Sequence, residues 1–322
     1  MHGWLILDKP IGLGSTGAVS AVKRALRDGG YPKVKVGHGG TLDPLATGVL
    51  PIALGEATKL AGRLLDSDKV YAFTVRFGEE TDTLDAEGKV IATSETRPTL
   101  AAVEAVLARF TGPIEQVPPA YSALKVDGER AYDLARAGEE VVLATRAVTI
   151  HALTLRDPRE SGDPISDSGD PDEAHEMGPR LLGGEDIGVD EVTLVAHVSK
   201  GTYIRSLARD IAQALGTVGH VTMLRRTKAG PFDLTQAISL DKLGGAGKAR
   251  ELEDYLLPLG AGLDDIPALA LTPDQAGALR QGRVLAGIDA ADGVTLATHL
   301  GVPQALVEIS GGAVRVVRGF NL

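Results

Sequence analysis

Hydrophobic residues recur along the chain with two different periods, which predicts a fold built from both strands and helices. Apolar and aromatic residues alternate with other residues over Lys69–Phe77, the pattern of a half-buried strand. A helical period over residues 18–26 predicts a helix, with Ser15 or Thr16 placed to cap it. Further strands are predicted over Trp4–Asp8, Ala147–Leu155, Val189–Val198 and Val221–Thr227, and further helices over Ala57–Leu65, Leu100–Phe110, Arg130–Ala137 and Tyr203–Leu215.

The pattern changes after about residue 262. Short β-like segments follow, at Val294–His299, Ala305–Ile309 and Val314–Val317, joined by Gly and Asp turns. We therefore predict a large domain over residues 1–260 and a small β domain over residues 264–322. Strands and helices interleave without regular βαβ units, which favours the α+β class over a doubly wound sheet.

The composition excludes several kinds of chemistry. The 322 residues include no cysteine, which rules out disulfides, cysteine-ligated zinc, iron–sulfur clusters and thiol nucleophiles. The seven histidines show no H-x-x-x-H or H-x-H pair, so the sequence predicts no metal site. No signal-like leader precedes Trp4, and no stretch approaches the ~18 apolar residues of a spanning helix. These observations predict a cytoplasmic protein that does not bind membranes.

The net charge of −10 is concentrated in one segment. Over the whole chain it argues against a nucleic-acid partner, because phosphate binding needs clustered positive charge. Between Arg156 and Glu191, however, twelve acidic residues stand against three arginines, so this stretch has a net charge of −9 and the rest of the chain has −1. It predicts a solvated acidic insertion over about 156–188 that lengthens a hairpin loop. Residues 1–65 and 197–250 carry net charges of +4 and +6, which allows a basic surface.

Gly12–Gly17 matches the G-x-G-x-x-G pattern of a dinucleotide-binding turn between a strand and a helix. The pattern does not continue, because only the short Val34–Val36 segment follows the helix and no second full strand ends in an acidic residue for a ribose. We interpret Gly12–Gly17 as a glycine-rich turn entering a helix, and a Rossmann oxidoreductase is the weaker alternative.

A second glycine-rich segment, Gly37–Gly48, holds one acidic residue, Asp43. Glycines let a backbone approach a ligand closely, so this segment is a candidate site. The local pattern by itself favours an ordinary helix start, with Asp43 as the cap and Pro44 at the first helical position. No G-x-S-x-G motif is present, so Ser/His/Asp catalysis is not indicated.

Five blocks of sequence, in order along about 230 residues, resemble the TruB family of tRNA pseudouridine synthases. The blocks are Leu7–Pro10, Gly37–Lys59, Lys69–Phe73, Pro118–Lys125 with Gly128–Tyr132, and Gly201–Leu207 with Met223–Thr227. The resemblance implies a catalytic domain with a mixed, largely antiparallel sheet flanked by helices over residues 1–260. Residues 264–322 match less well, and for them it implies a PUA-like RNA-binding domain.

The activity that the resemblance implies is isomerisation of uridine 55 in the T loop of tRNA to pseudouridine, with the base flipped out of the loop. Asp43 matches the family's nucleophilic carboxylate, and Arg205 the arginine that pairs with it and keeps it charged. Tyr71 matches the tyrosine that stacks on the target base. The local sequence by itself favours a surface ion pair between Arg205 and Asp210, and explains Tyr71 equally well as a core aromatic.

The resemblance assigns further substrate-binding roles. Tyr203 and Leu224 match pocket-lining positions, and His38 matches the residue that takes the space left by the extruded base. Four basic residues are candidates for phosphate contact or for supporting the site: Lys9, Lys59, Arg225 and Arg226. No metal and no organic cofactor is implied. The implied partner is the T stem-loop of tRNA, with a monomeric chain and no obligate protein partner. A rival interpretation is a T-arm-binding tRNA chaperone whose catalysis is secondary or absent.

Overall fold

A computed structural model describes residues 1–122, 124–126, 128–138, 141, 143–156 and 187–322. Most of the predicted acidic insertion, 156–188, therefore lies outside the described residues. The chain divides into two compact units. The first unit comprises Met1–Pro44, Gly48–Ser67 and Lys228–Leu322, and the second comprises Leu45–Thr47 and Asp68–Thr227. Among the described residues, no helix is both long enough and apolar enough to cross a membrane.

The elements confirm a fold of interleaved strands and helices. The strands are β1 (Gly3–Lys9), β2 (Val36–His38), β3 (Thr47–Leu54), β4 (Lys69–Phe77), β5 (Glu79–Thr81), β6 (Val90–Thr93), β7 (Gly112–Gln116), β8 (Lys125–Val126), β9 (Glu129–Arg130), β10 (Arg146–Leu155), β11 (Glu191–Val198), β12 (Gly219–Ala229), β13 (Phe232–Asp233), β14 (Leu256–Leu257), β15 (Ala268–Ala270), β16 (Gly293–His299), β17 (Val302–Ser310) and β18 (Ala313–Gly319). The helices are α1 (Ser15–Asp28), α2 (Ala61–Asp66), α3 (Leu100–Leu107), α4 (Ala131–Arg136), α5 (Ile204–Ala214), α6 (Leu240–Ala249) and α7 (Pro273–Arg280).

In the first unit, β1 lies between β3 and β14 and is antiparallel to both. Its register with β3 runs from Gly3 opposite Leu54 to Lys9 opposite Gly48. A dinucleotide-binding fold needs a parallel neighbour after the first helix, so this pairing rules out the Rossmann alternative. The Gly12–Gly17 segment is the turn into α1, as predicted.

The start of α1 differs from the predicted cap. The N-cap residue is Gly14, which makes no side-chain capping bond. The Ser15 hydroxyl instead accepts a hydrogen bond from Leu42 N at 2.8 Å and donates one to Leu42 O at 3.0 Å. Ser15 is buried, and its hydroxyl forms hydrogen bonds with the backbone of a distant loop rather than with the first turn of its own helix. The prediction of a Ser15 or Thr16 cap is therefore wrong.

The second unit contains the strand order β12-β4-β11-β10-β7. The pairs β4–β11, β11–β10 and β10–β7 are antiparallel. Helix α3 contacts β10 and α5, and α5 also contacts β4. Leu155 pairs with Leu194, so the acidic insertion connects two neighbouring antiparallel strands, and the predicted lengthened hairpin is confirmed.

The C-terminal residues form a separate four-stranded sheet in the order β15-β16-β17-β18. Its core includes Leu279, Val307 and Val314. The three predicted strands are confirmed as β16, β17 and β18, whereas α7 is an addition to the prediction. Phe320 belongs to a second cluster that contains Trp4, so this small sheet packs within the first unit.

Candidate active site

The loop that carries Asp43 is fixed on both sides of that residue. The Ser15 hydroxyl makes the two bonds to Leu42 described above. On the other side, Pro44 O accepts a hydrogen bond from Gly12 N at 2.8 Å. Asp43 itself is half-buried. Residues 39–46, which the structure describes throughout, contain no helix, so the interpretation of Asp43 as a helix cap is wrong. The bonds to Leu42 and Pro44 hold the backbone on both sides of this carboxylate in a fixed position.

Lys9, the last residue of β1, supports the same loop. Its side chain is fully buried. The ammonium group donates hydrogen bonds to Leu13 O at 2.7 Å, to Pro10 O at 2.9 Å and to Pro44 O at 3.3 Å. A buried cation needs such partners to offset the loss of water. Of the two roles predicted for Lys9, these contacts favour site support over phosphate contact.

His38 lies in β2, opposite Ile52 of β3, and is half-buried. The glycine that follows it allows close packing, because a Cβ at Gly39 would lie 2.8 Å from Leu64 Cδ1. The Gly39 amide also donates to Pro51 O at 2.8 Å. Gly39 thus allows the backbone that follows β2 to pack closely against Leu64 of α2 and Pro51 of β3.

Lys59 makes its contacts to the C-terminal end of the chain. Its ammonium lies 2.7 Å from Glu56 Oε2 and donates to Gly319 O at 2.9 Å. Asn321 N donates to the same Glu56 oxygen at 2.9 Å. Burial raises the pKa of Glu56. The hydrogen bonds from Lys59 and Asn321 and the charge of Lys59 lower it by more than burial raises it, so the pKa lies below its ordinary value. Lys59 and Glu56 therefore tether the end of β18.

This tether predicts a pH-dependent stability. A carboxyl whose pKa is lower in the folded state stabilises the protein above its unfolded pKa, and that contribution is lost as the pH falls through the folded pKa. We expect Glu56→Gln to lower the free energy of unfolding by up to about 1 kcal/mol at pH 7. Below pH about 4 the difference from wild type should shrink towards zero.

Thermal unfolding of both proteins between pH 3 and pH 7 measures this effect. Glu253→Gln makes the same charge change at an exposed position of the same unit and controls for charge alone. A wild-type advantage that stays constant down to pH 3 would contradict the tether.

Arg205 makes several hydrogen bonds within the second unit. It lies in the first turn of α5, and its side chain is buried. Nη1 donates to Asp85 Oδ2 at 3.0 Å and to Thr83 O at 2.9 Å, and Nη2 donates to Tyr121 O at 3.0 Å. Asp210 instead pairs with Arg209, so the surface ion pair between Arg205 and Asp210 is not formed.

Asp85 is a residue that sequence reasoning missed. Its carboxylate is buried, and the oxygen not bound to Arg205 accepts from Thr83 Oγ1 at 2.6 Å and from Glu87 N at 3.1 Å. Both oxygens are therefore satisfied, as a buried carboxylate requires. The sequence held a signal, because the tripeptide Thr-Leu-Asp occurs both at 41–43 and at 83–85.

The start of α5 is held by the end of β7. Gln116 is buried, and its side-chain amide accepts from Tyr203 N at 2.8 Å and donates to Tyr203 O at 3.1 Å. Ser206 Oγ donates to Val117 O at 2.8 Å. Gln116 is thus a second residue missed from the sequence, and it fixes the backbone that carries both Tyr203 and Arg205.

Tyr71 and Leu224 lie on the neighbouring strands β4 and β12. Tyr71 is half-buried, whereas Phe73, two residues along the same face, is fully buried. Leu224 is buried. Arg226 is also buried, and Arg225 Nη1 lies 3.4 Å from Thr47 Oγ1. Partial exposure distinguishes Tyr71 from the fully buried core aromatic Phe73.

The predicted site residues fall into two groups, one in each unit. The first unit holds His38, Lys9, Lys59 and Asp43, and the second holds Tyr71, Tyr203, Arg205 and Leu224. In the first unit, Lys9 contacts the Asp43 loop, while Lys59 contacts the C-terminal end of the chain. In the second, Tyr203 and Arg205 share the start of α5.

Comparison with known proteins identifies close relatives. Residues 27–165 match the family described as TruB family pseudouridylate synthase (N terminal domain), and residues 205–264 match the tRNA pseudouridylate synthase B C-terminal domain. The tRNA pseudouridine synthase B of Novosphingobium aromaticivorans is 63% identical, over 100% of this chain and 98% of the relative. That of Zymomonas mobilis is 57% identical, over 100% of this chain and 96% of the relative.

Solved structures show the same fold at lower identity. An H/ACA RNP bound to a substrate RNA containing 2′-deoxyuridine includes a chain with a TM-score of 0.67 and 23% identity, over 99% of this chain and 85% of that one. A Cbf5-Nop10-Gar1 complex gives a TM-score of 0.67 and 24% identity, with the same coverage.

Proposed function

The chain belongs to the TruB family of tRNA pseudouridine synthases, and from this premise we propose that it isomerises uridine 55 in the T loop of tRNA with Asp43 as the nucleophile. Pseudouridylation of tRNA is the activity shared by its close relatives. The observation that carries the assignment of Asp43 is the anchoring of Leu42 and Pro44, which holds the intervening carboxylate in place without a helix to cap.

The proposed reaction is balanced without a cofactor. The bond between N1 of uracil and C1′ of the ribose breaks, the base rotates, and a bond forms between C5 and C1′. C5 loses a proton and N1 gains one, so substrate and product are isomers. In this proposal the Asp43 carboxylate attacks either C1′ or the base, and both routes need it ionised in a site that excludes water.

The remaining roles follow the same proposal. Arg205 is the active-site cation, and Tyr71 stacks on the flipped base, which recovers part of the few kcal/mol spent on unstacking. Tyr203 and Leu224 line the pocket for the base, and His38 fills the space that the base leaves. Lys9 acts by supporting the Asp43 loop, as its contacts to backbone carbonyls favour, and Lys59 stays a candidate for phosphate contact or for supporting the site.

In this proposal, residues 1–260 form the catalytic domain and residues 264–322 a PUA-like RNA-binding domain. The ligand is the T stem-loop, and the chain acts as a monomer in the cytoplasm with no protein partner. The acidic insertion would leave the basic residues of 1–65 and 197–250 available to phosphates.

The test is incubation of the purified chain alone with an unmodified tRNA transcript, followed by mapping of pseudouridine by base-specific chemistry. We expect one pseudouridine, at position 55. A transcript with cytidine at that position is the matched control and should stay unmodified. Binding without modification would favour the tRNA-chaperone interpretation, and modification at another uridine would contradict the proposed specificity.

A further inference from the structure

Three potential metal ligands converge on the surface of the second unit, and none of them belongs to the candidate active site. Asp68 Oδ2 lies 3.2 Å from His151 Nε2 and 3.7 Å from His197 Nε2. The two imidazole rings have their centroids 4.8 Å apart. Asp68 and His151 are exposed and His197 is partly buried, so an ion has a direct path from solvent.

The sheet places these side chains by a specific irregularity. Ile150 pairs with Val198, but Ala152 pairs with His197, so His151 is the extra residue of a β-bulge in β10. His197 in turn pairs with Val70 of β4, two residues after Asp68. A bulge redirects a side chain that regular alternation would place otherwise. The cluster therefore gathers residues from two strands and from the start of a third.

The separations suit a small ion with short bonds. Tetrahedral zinc with bonds of about 2.0–2.1 Å places neighbouring ligand atoms roughly 3.3 Å apart. The two observed contacts to Asp68 bracket this value, and the three ligand atoms all lie within 4.8 Å of one another. Two imidazole nitrogens and one carboxylate oxygen form a donor set that suits divalent transition metals rather than Mg²⁺ or Ca²⁺.

We propose that Asp68, His151 and His197 form a binding site for one divalent transition-metal ion, with Zn²⁺ as the expected ion and water as its fourth ligand. The site goes beyond the proposed isomerisation and takes no part in it. Its ligands are separated by 83 and 46 positions in the chain, which is why no histidine spacing indicated it. A bound ion would join the start of β4 to β10 and β11 and raise the melting temperature by mass action.

The experiment uses tag-free, full-length protein and titrates Zn²⁺ by calorimetry, with Co²⁺ absorption as a second probe. We expect one ion per chain and a tetrahedral Co²⁺ spectrum. His151→Gln, His197→Gln and Asp68→Asn should each weaken Zn²⁺ binding by at least about tenfold. The melting temperature should rise with added Zn²⁺ in the wild type, and much less in these three variants.

His2→Gln is the matched control, because His2 is an exposed histidine in the other unit. It should leave the Zn²⁺ affinity unchanged. If His2→Gln removes binding and the cluster variants do not, the proposed site is wrong. The proposed site is also wrong if the wild type and the double variant His151→Gln/His197→Gln bind Zn²⁺ with equal affinity. In that case the cluster is only a His–Asp ion pair. Circular dichroism of each variant without metal establishes that a loss of Zn²⁺ binding is not caused by unfolding.

Discussion

Asp43→Asn should abolish pseudouridine formation, with a loss of at least about 10³-fold in turnover, while tRNA binding stays within a few-fold of wild type. The neutral amide keeps the size of the carboxylate but is a far weaker nucleophile. The bonds that hold Leu42 and Pro44 use the Ser15 hydroxyl, the Gly12 amide and Lys9 rather than the carboxylate, so the loop should keep its place.

The measurements are single-turnover pseudouridine formation and tRNA binding by filter retention. Asp28→Asn, which makes the same charge change at the exposed end of α1, is the control and should keep full activity. If Asp43→Asn weakens tRNA binding as much as turnover, Asp43 is a binding or structural residue. Full activity of Asp43→Asn would eliminate it as the nucleophile.

Asp85→Asn should have the largest effect on stability of any single charge removal described above. It removes the carboxylate charge that pairs with the buried Arg205 guanidinium, and breaking a buried ion pair in this way costs about 3–5 kcal/mol of unfolding free energy. Because Asp85 holds Arg205 in place, it is a positioning residue for the proposed active site. Turnover should fall on the order of 10²-fold even where the variant is fully folded.

Asp210, which lies on α5, provides the contrast. Burial raises the pKa of Asp210 above its ordinary value by more than the hydrogen bond from Arg209 lowers it. Its ionised form is thus less favourable in the folded than in the unfolded state, and it costs stability at neutral pH. Asp210→Asn should therefore leave the unfolding free energy unchanged or slightly raised.

Urea unfolding at pH 7, with pseudouridine formation measured well below the unfolding midpoint, separates the two effects. A stable and fully active Asp85→Asn would show that Arg205 needs no buried counter-charge. Equal losses of stability in Asp85→Asn and Asp210→Asn would show that any charge removal near α5 is damaging, whatever its partner.

The sequence predicted elements where local pattern and environment agree. Lys69–Phe77 alternates and forms β4, and Tyr203–Leu215 has a helical period and contains α5. The strand β3 was missed because Pro51 stands near its centre, which ordinarily argues against a strand. Helix α6 was missed because three of its ten residues are glycines, which lower helix propensity. In both cases tertiary burial outweighs the local preference.

Site residues could be predicted where they lie in a long sequence motif. They could not be predicted where they depend on contacts between residues far apart in the sequence. The Asp43 loop stands within a long block of resemblance, whereas the pairing of Asp85 with Arg205 joins residues 120 positions apart. Local sequence even suggested the wrong partner for Arg205, because Asp210 is near in sequence while Asp85 is near in space. Such pairings depend on topology, which periodicity and spacing do not specify.

The first unit is assembled from the two ends of the chain, and this has a consequence for synthesis. Trp4 Nε1 donates to Leu259 O, 255 positions later, and β1 also pairs with β14. At about 5–20 residues per second, a ribosome needs roughly 12–50 s to make the intervening chain. During that interval β1 lacks one of its two neighbouring strands and Trp4 lacks part of its packing. The nascent chain therefore exposes the apolar strand β1 until the residues around Leu256 and Leu259 have been made.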